Sequence, residues 1–330
     1  MRKTNALKAM MGFCLLVMVS LFSIMNVAAS EEAKENSSKK KKSGDYEYVY
    51  SEVHQGVVIT NYTGKAKKLK IPATVDGMPV KVLAPWSFSH NKTLQRVTVP
   101  EGIVEMDDCF SSCNNLQYAN VPEGVTSITH TFASCESLKQ VELPESLVEI
   151  GDRTFQGCKS METIKLPNNV KRIGYKAFYQ CKGLKSVKWS KQLRIIETNG
   201  FAGCKKLQSV KLPDSVKIIG VNAFTGCNAL KTVKLSKQLT VLSYGCFSGC
   251  TSLKEIVIPS NIKCIEQYAF SNCSKMKKIK FQGNEMTVIG EGAFEKIHSG
   301  AVFDVKKKAK KLFKSLLDED TGFKKSMKIV

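Results

Sequence analysis

Histidine is scarce in this chain. Only four occur in 330 residues, His54, His90, His130 and His298, and none stands near another or near an obvious partner. With no nucleophile–base signature and no glycine-rich phosphate loop either, the sequence offers no catalytic constellation. Acid is also short: 29 Asp and Glu face 50 Lys and Arg, for a formal net charge of +21. Such an excess favours polyanionic partners and works against cationic ones. There are two tryptophans, and the aromatics nearest the lysine-rich strands are Tyr118 and Trp189, the latter expected to pack inward. So thin an aromatic surface argues against base stacking on nucleic acid.

Charge is absent altogether from Ala9 to Ser30. Arg2, Lys3 and Lys8 precede this apolar run and Val27-Ala28-Ala29-Ser30 closes it, the layout of a secretory signal peptide over residues 1–30. The run also has the length of an uncleaved membrane anchor, which is the alternative reading. Both place the remainder outside the cell, with the membrane touched only through this segment. Residues 31–44, with Ser37, Ser38 and lysines 39 to 42, are polar and aperiodic and are expected to form a disordered, lysine-rich linker.

What the chain has in abundance is repetition. Cys113, Cys135, Cys158, Cys181, Cys204, Cys227, Cys250 and Cys273 are spaced by 22 residues once and by 23 thereafter, and a phenylalanine precedes each by three: Phe110, Phe132, Phe155, Phe178, Phe201, Phe224, Phe247 and Phe270. Phe88 and Phe294 extend the column, with Asn91 and Ile297 in the cysteine position. A fixed period in this range is the signature of a solenoid.

Within one unit, Val141 and Leu143 are two apart and share a face of a short strand. Pro144 ends that strand, since proline cannot continue the ladder. Leu147 and Ile150 mark a second, less regular extended segment, and Gly151 is expected to supply the freedom a tight corner needs. The Phe-x-x-Cys-x-x-Leu run then has apolar residues three apart, consistent with a short helical or 3₁₀ turn. Roughly six apolar side chains per unit, worth about 1.5–3 kcal/mol each if fully buried, face a backbone entropy cost of about 1–2 kcal/mol for every residue ordered. One unit cannot stand alone, whereas stacked units cover each other's open faces. The period-two runs at Tyr46, Tyr48, Tyr50 and at Val57, Ile59 predict cap strands over residues 45–70, ahead of repeats over 71–298. Ala309, Leu312, Phe313, Leu316 and Leu317 predict a small helix, and Met327 to Val330 a last strand, in a C-terminal cap over 299–330.

The pattern Leu-x-x-Val-x-Leu-Pro-x-x-Val-x-x-Ile-Gly-x-x-Ala-Phe-x-x-Cys, carried nearly whole from Leu207 through Leu212-Pro213, Val216, Ile219-Gly220 and Ala223-Phe224 to Cys227, closely resembles the leucine-rich repeats of BspA-like bacterial surface proteins. The resemblance covers roughly Ile71 to Phe294. It implies a mainly β leucine-rich-repeat solenoid, capped at both ends, and an exported protein with a binding or adhesive role. It implies no particular ligand.

Two columns are candidate sites. The eight cysteines read as small buried residues packing a corner, because identical positions in parallel rungs point the same way, which disfavours bridging. No metal site or cofactor is expected: Cys109 with Cys113 and Cys246 with Cys250 are four apart, but no histidine or second close pair joins them. The outward position of the first strand reads Thr98, Asn120, Glu142, Lys165, Lys188, Lys211, Lys234, Val257 and Lys280. Like charges stacked at strand spacing repel, so a column of Lys165, Lys188, Lys211, Lys234 and Lys280 is either a solubilising guard against edge pairing or a face for an anionic partner. The expectation is a non-enzymatic envelope protein that engages an anionic glycan, a wall polymer or an acidic protein of a host or cell surface. The rivals are a self-associating structural component and, more remotely, a β-helix-like polysaccharide-active enzyme.

Overall fold

A chain that returns to the same place every 23 residues must hydrogen-bond to itself one period away, and that pairing organises the structure. The computed structural model describes residues 40–330, of which Ser43–Val330 form one unit. The expected signal peptide and most of the expected linker lie outside the described residues; at the end of that linker, Lys41–Ser43 is a short strand.

Each rung has two strands. The first is three or four residues long, as in Thr163–Lys165, Ser186–Lys188, Ser209–Lys211 and Thr232–Lys234, and the second is two, as in Glu149–Ile150, Arg172–Ile173, Ile195–Ile196 and Ile218–Ile219. Rung pairs with rung in parallel and one repeat apart: Ile164 with Val187, Val210 with Val233, Ile150 with Ile173, Ile196 with Ile219. Alternation along the first strand buries one face, so that in Glu255–Ile258 the side chains of Ile256 and Ile258 are buried while Glu255 and Val257 are exposed.

The return segment departs from an ordinary helical turn. Its i to i+3 hydrogen bonds are present, with the Cys135 amide donating to the Phe132 carbonyl at 3.1 Å and Leu138 to Cys135 at 3.0 Å. Yet the residues two before and two after phenylalanine are left-handed: Lys176 and Gln180 have φ of 54° and 58°, Asn222 and Gly226 of 55° and 69°. These reversals turn backbone donors along the solenoid axis. Lys176, Phe178 and Gln180 donate to Thr198, Gly200 and Ala202 of the next rung at 3.1, 2.7 and 2.8 Å. The returns thus form a third ladder beside the two strand ladders.

The glycine ending the second strand acts differently from the expected corner. Gly151, Gly174 and Gly220 do not have positive φ; a Cβ at Gly151 would meet the Ile128 carbonyl at 2.9 Å, and one at Gly220 the Thr198 amide at 2.5 Å. The missing side chain lets two rungs approach closely.

Inside, the phenylalanine column is one continuous stack from Phe88 to Phe294, with neighbouring ring centroids 4.8 to 5.9 Å apart. Each thiol of the eight-cysteine column donates to the carbonyl of the phenylalanine of the preceding rung, Cys113 to Phe88 at 3.1 Å and Cys181 to Phe155 at 3.0 Å. The eleven described cysteines are free. Burial raises the thiol pKa, to about 12 for Cys113, Cys181 and Cys227, so these thiols are protonated and poor nucleophiles or metal ligands at neutral pH.

Caps close both ends. The antiparallel hairpin Tyr46–Ser51 and Gly56–Tyr62 joins the array through parallel pairing of its second strand with Met78–Leu83, and Tyr62 stacks 5.3 Å from Phe88. At the other end Phe303 meets Phe294 edge-on at 5.0 Å. The helix Lys310–Leu316 sets Phe313 against Phe281 at 4.5 Å, and Lys328–Ile329 pairs with Val302–Asp304. Among the described residues no helix is long and apolar enough to cross a membrane.

Candidate binding surface

The five candidate lysines are exposed at one position of the first strands, which pair as separate short sheets: Lys165 with Lys188 on one, Lys211 with Lys234 on the next and Lys280 on a third. Lys165 pairs in register with Lys188, and Lys211 with Lys234, at a strand spacing of about 4.8 Å. Lys280 lies in register with Val257, which is 41% exposed and breaks the column, and on its other side with Asp304. The inward neighbours explain the presentation: Ile164, Val210 and Ile279 are buried and fix which way each strand faces.

Some lysines around this column are neutralised. Lys185 meets Glu162 at 2.8 Å, Lys159 meets Glu136 at 2.6 Å, and Lys278 meets Asp304 at 3.8 Å. Lys165, Lys188, Lys211, Lys234 and Lys280 take part in none of the ion pairs among the described residues. The surrounding charge accentuates them. From residue 163 to 254 seventeen Lys and Arg stand against two acids, whereas from 97 to 162 three stand against eleven. The positive field therefore concentrates on the rungs that hold the four consecutive lysines.

The column runs further than the sequence reading took it. Lys70 is in register with Thr98, and Lys68 with Arg96, on the strand Lys68–Lys70. The signal was present, since Leu69-Lys70-Ile71-Pro72 repeats the spacing of Val210-Lys211-Leu212-Pro213. Trp189 is half-buried and packs edge-on against Phe201 at 5.3 Å, so it is not a platform on this face.

The titratable groups elsewhere serve structure. Arg172 joins three rungs, bonding Glu149, Asp152 at 3.3 Å and Glu197 at 3.3 Å. His54 bonds Ser51 at 3.0 Å and Glu105 at 3.3 Å, and His130 lies 3.9 Å from Asp108. Among the described residues no three His, Cys, Asp or Glu side chains are grouped to hold a metal ion.

Comparison with known structures matches this geometry to bacterial repeat proteins. A leucine-rich repeat protein from Bacteroides ovatus aligns over 88% of this chain and 90% of its own at 23% identity, with a TM-score of 0.65, which shows the shared fold. A leucine-rich cell surface protein from Faecalibacterium prausnitzii is 26% identical over 80% of this chain and 95% of its own, with a TM-score of 0.39. The pneumococcal vaccine antigen PcpA is 16% identical over 88% of this chain and 98% of its own, with a TM-score of 0.44. No curated protein matches the sequence. The BspA type leucine-rich repeat region matches in six copies, over residues 61–185, 106–228 and 194–317. With its 23-residue rungs, stacked phenylalanines and parallel ladders, the chain belongs to the BspA-type leucine-rich repeat family.

Proposed function

We propose that this protein is an exported, non-enzymatic binding protein of the cell envelope, and that it engages an anionic polymer through the first-strand face. The observation carrying this reading is the set Lys165, Lys188, Lys211 and Lys234: two pairs of like charges directly in register on successive rungs, exposed and free of ion pairs. Directly opposed like charges destabilise a sheet, and a bound polyanion with charges along its length relieves that repulsion. A wall polymer, an anionic glycan or an acidic protein segment offers such charge.

The test is binding of the protein to anionic and neutral glycans and wall polymers at several salt concentrations. Tight binding to an anionic class that weakens steeply as salt rises is the expected result, because exposed charges are screened within about 8–10 Å at physiological ionic strength. Reversing the four lysines to glutamate removes that binding. Unchanged affinity and unchanged salt dependence in the variant would refute the ridge.

One feature supports a second reading, a self-associating structural component. Ile218 and Val288, on second strands of two separate sheets, are 50% and 47% exposed, and Val221 and Tyr244 are exposed too. Assembly of the purified protein that grows with concentration, in the absence of any polymer, favours that reading.

A further inference from the structure

The lysine ridge ends upstream at Glu142, and beyond it the same face changes character. The strands Lys68–Lys70, Arg96–Thr98, Tyr118–Asn120 and Gln140–Glu142 lie side by side in that order. Over them runs a groove of about 310 Å³ lined by Lys68, Arg96, Tyr118 and Lys139 together with three glutamines, and no acidic side chain lines it. Arg96 holds its guanidinium carbon 3.6 Å from the centroid of the Tyr118 ring, and Tyr118 is itself half-buried. Stacking restrains the arginine and leaves the edge of its planar fork available.

The glutamines occupy a repeated place. Gln95 and Gln117 stand one rung apart, and their backbone carbonyls carry the ladder: the amides of Gln117 and Tyr118 donate to Gln95, those of Lys139 and Gln140 to Gln117, at 2.7 to 3.3 Å. Their side-chain amides make no hydrogen bond among the described residues. The third, Gln140, donates to Glu142 at 3.5 Å, and that carboxylate also interacts with the Tyr118 hydroxyl.

We infer that this groove is a saccharide subsite for a carboxylate-bearing sugar unit, of uronic-acid type, within an anionic polysaccharide. The inference rests on the reading that the first-strand face binds an anionic polymer, and it names that polymer's class. A guanidinium fork takes a carboxylate through two parallel hydrogen bonds, where an ammonium acts as a point charge. Lys68 and Lys139 add charge around it. Each glutamine amide both donates and accepts, as a sugar hydroxyl does. A volume near the lower end of small-molecule clefts, roughly 300–1,000 Å³, suits one or two sugar rings. The fork alone does not choose the anion, since guanidinium also pairs with phosphate; the glutamine amides do, because a polyphosphate chain carries no hydroxyls to match their mixed donors and acceptors.

The experiment is calorimetric titration of the full chain with trigalacturonate, with a neutral galactose trisaccharide, and with inorganic tripolyphosphate. Trigalacturonate is expected to bind measurably and the neutral trisaccharide at least about tenfold more weakly, the ratio expected when a charge-assisted hydrogen bond is lost. Arg96→Lys keeps the charge and the surface position, so it should fold; it should weaken trigalacturonate about tenfold or more. Gln95→Leu with Gln117→Leu should also weaken trigalacturonate and should leave tripolyphosphate unchanged. A trimer that does not bind, that binds Arg96→Lys as well as the wild type, or that binds the double glutamine variant as well as the wild type overturns the subsite. The two readings fail separately. Loss of long-polymer binding in the four-lysine variant with no Arg96 dependence leaves the ridge and removes the groove; trimer binding that depends on Arg96, with the lysine variant unaffected on long polymer, does the reverse.

Discussion

At the scale of single residues, the cysteine column shows how little chemistry a conspicuous motif need perform. Each thiol donates to a phenylalanine carbonyl of the preceding rung and is buried. Replacing Cys181 with alanine removes one weak hydrogen bond and a small volume, and is expected to cost about 1–2 kcal/mol in chemical denaturation. Phe201→Ala breaks the stack on both sides, where its neighbours lie 4.8 and 5.4 Å away, and should cost about 3–5 kcal/mol. The raised thiol pKa values also have a pH consequence. In the unfolded chain these thiols ionise near 9.0, in the folded one near 12, so between those values the unfolded state has lost protons that the folded state retains. The stability from the buried neutral thiols is complete below about pH 9 and declines as pH climbs towards 12. Thermal melts across that range should show the decline, with a shallower slope for Cys181→Ala; equal slopes would show that the thiols are not its source.

Among elements, the return segment matters most. Its two left-handed positions are occupied in several rungs by residues that tolerate them, Asn199 with Gly203 and Asn222 with Gly226. At Gly249, with φ of 70°, the nearest atom to an added Cβ is 3.6 Å away, so there is room. Gly249→Ala should therefore report the backbone strain alone, about 1–2 kcal/mol, read from the midpoint of denaturant unfolding. On the second strand, Arg172 spans three rungs by bonding Glu149, Asp152 and Glu197. Because these groups are about one-third exposed, Arg172→Met is expected to cost only about 1 kcal/mol. Added salt should shrink the difference between the two proteins, and a difference that does not respond to salt would assign the loss to packing.

For the molecule as a whole, stability is nearly a sum over rungs and their interfaces. Removing one whole period, residues 182–204, takes out Lys188 and Phe201 but brings equivalent strands into register, so the shortened chain should fold with a slightly lower melting temperature and bind polymer more weakly. Deleting 299–330 is different. It strips Phe303, Phe313 and the last strand from the final rung, leaving an open sheet end that should fray or associate. Hydrogen exchange that stays slow at rung 294 after that deletion would show the cap to be dispensable.

The period, the inward and outward faces of each first strand, and the columns of phenylalanine, cysteine and lysine were all legible in the linear sequence, because parallel stacking at a fixed repeat converts sequence spacing directly into spatial adjacency. Lys70 was legible too, once Leu69-Lys70-Ile71-Pro72 is aligned with the later rungs. Tertiary structure alone decided three matters. The reversals at Lys176 and Gln180 follow from backbone angles that residue types only bias, and with them came the third ladder. Gly151 proved to answer to a neighbouring carbonyl rather than to its own turn. The groove around Arg96 and Tyr118 depends on how side chains of unlike type, one rung apart, settle against one another. Spacing tells which residues are neighbours; only packing tells which of their polar groups remain free.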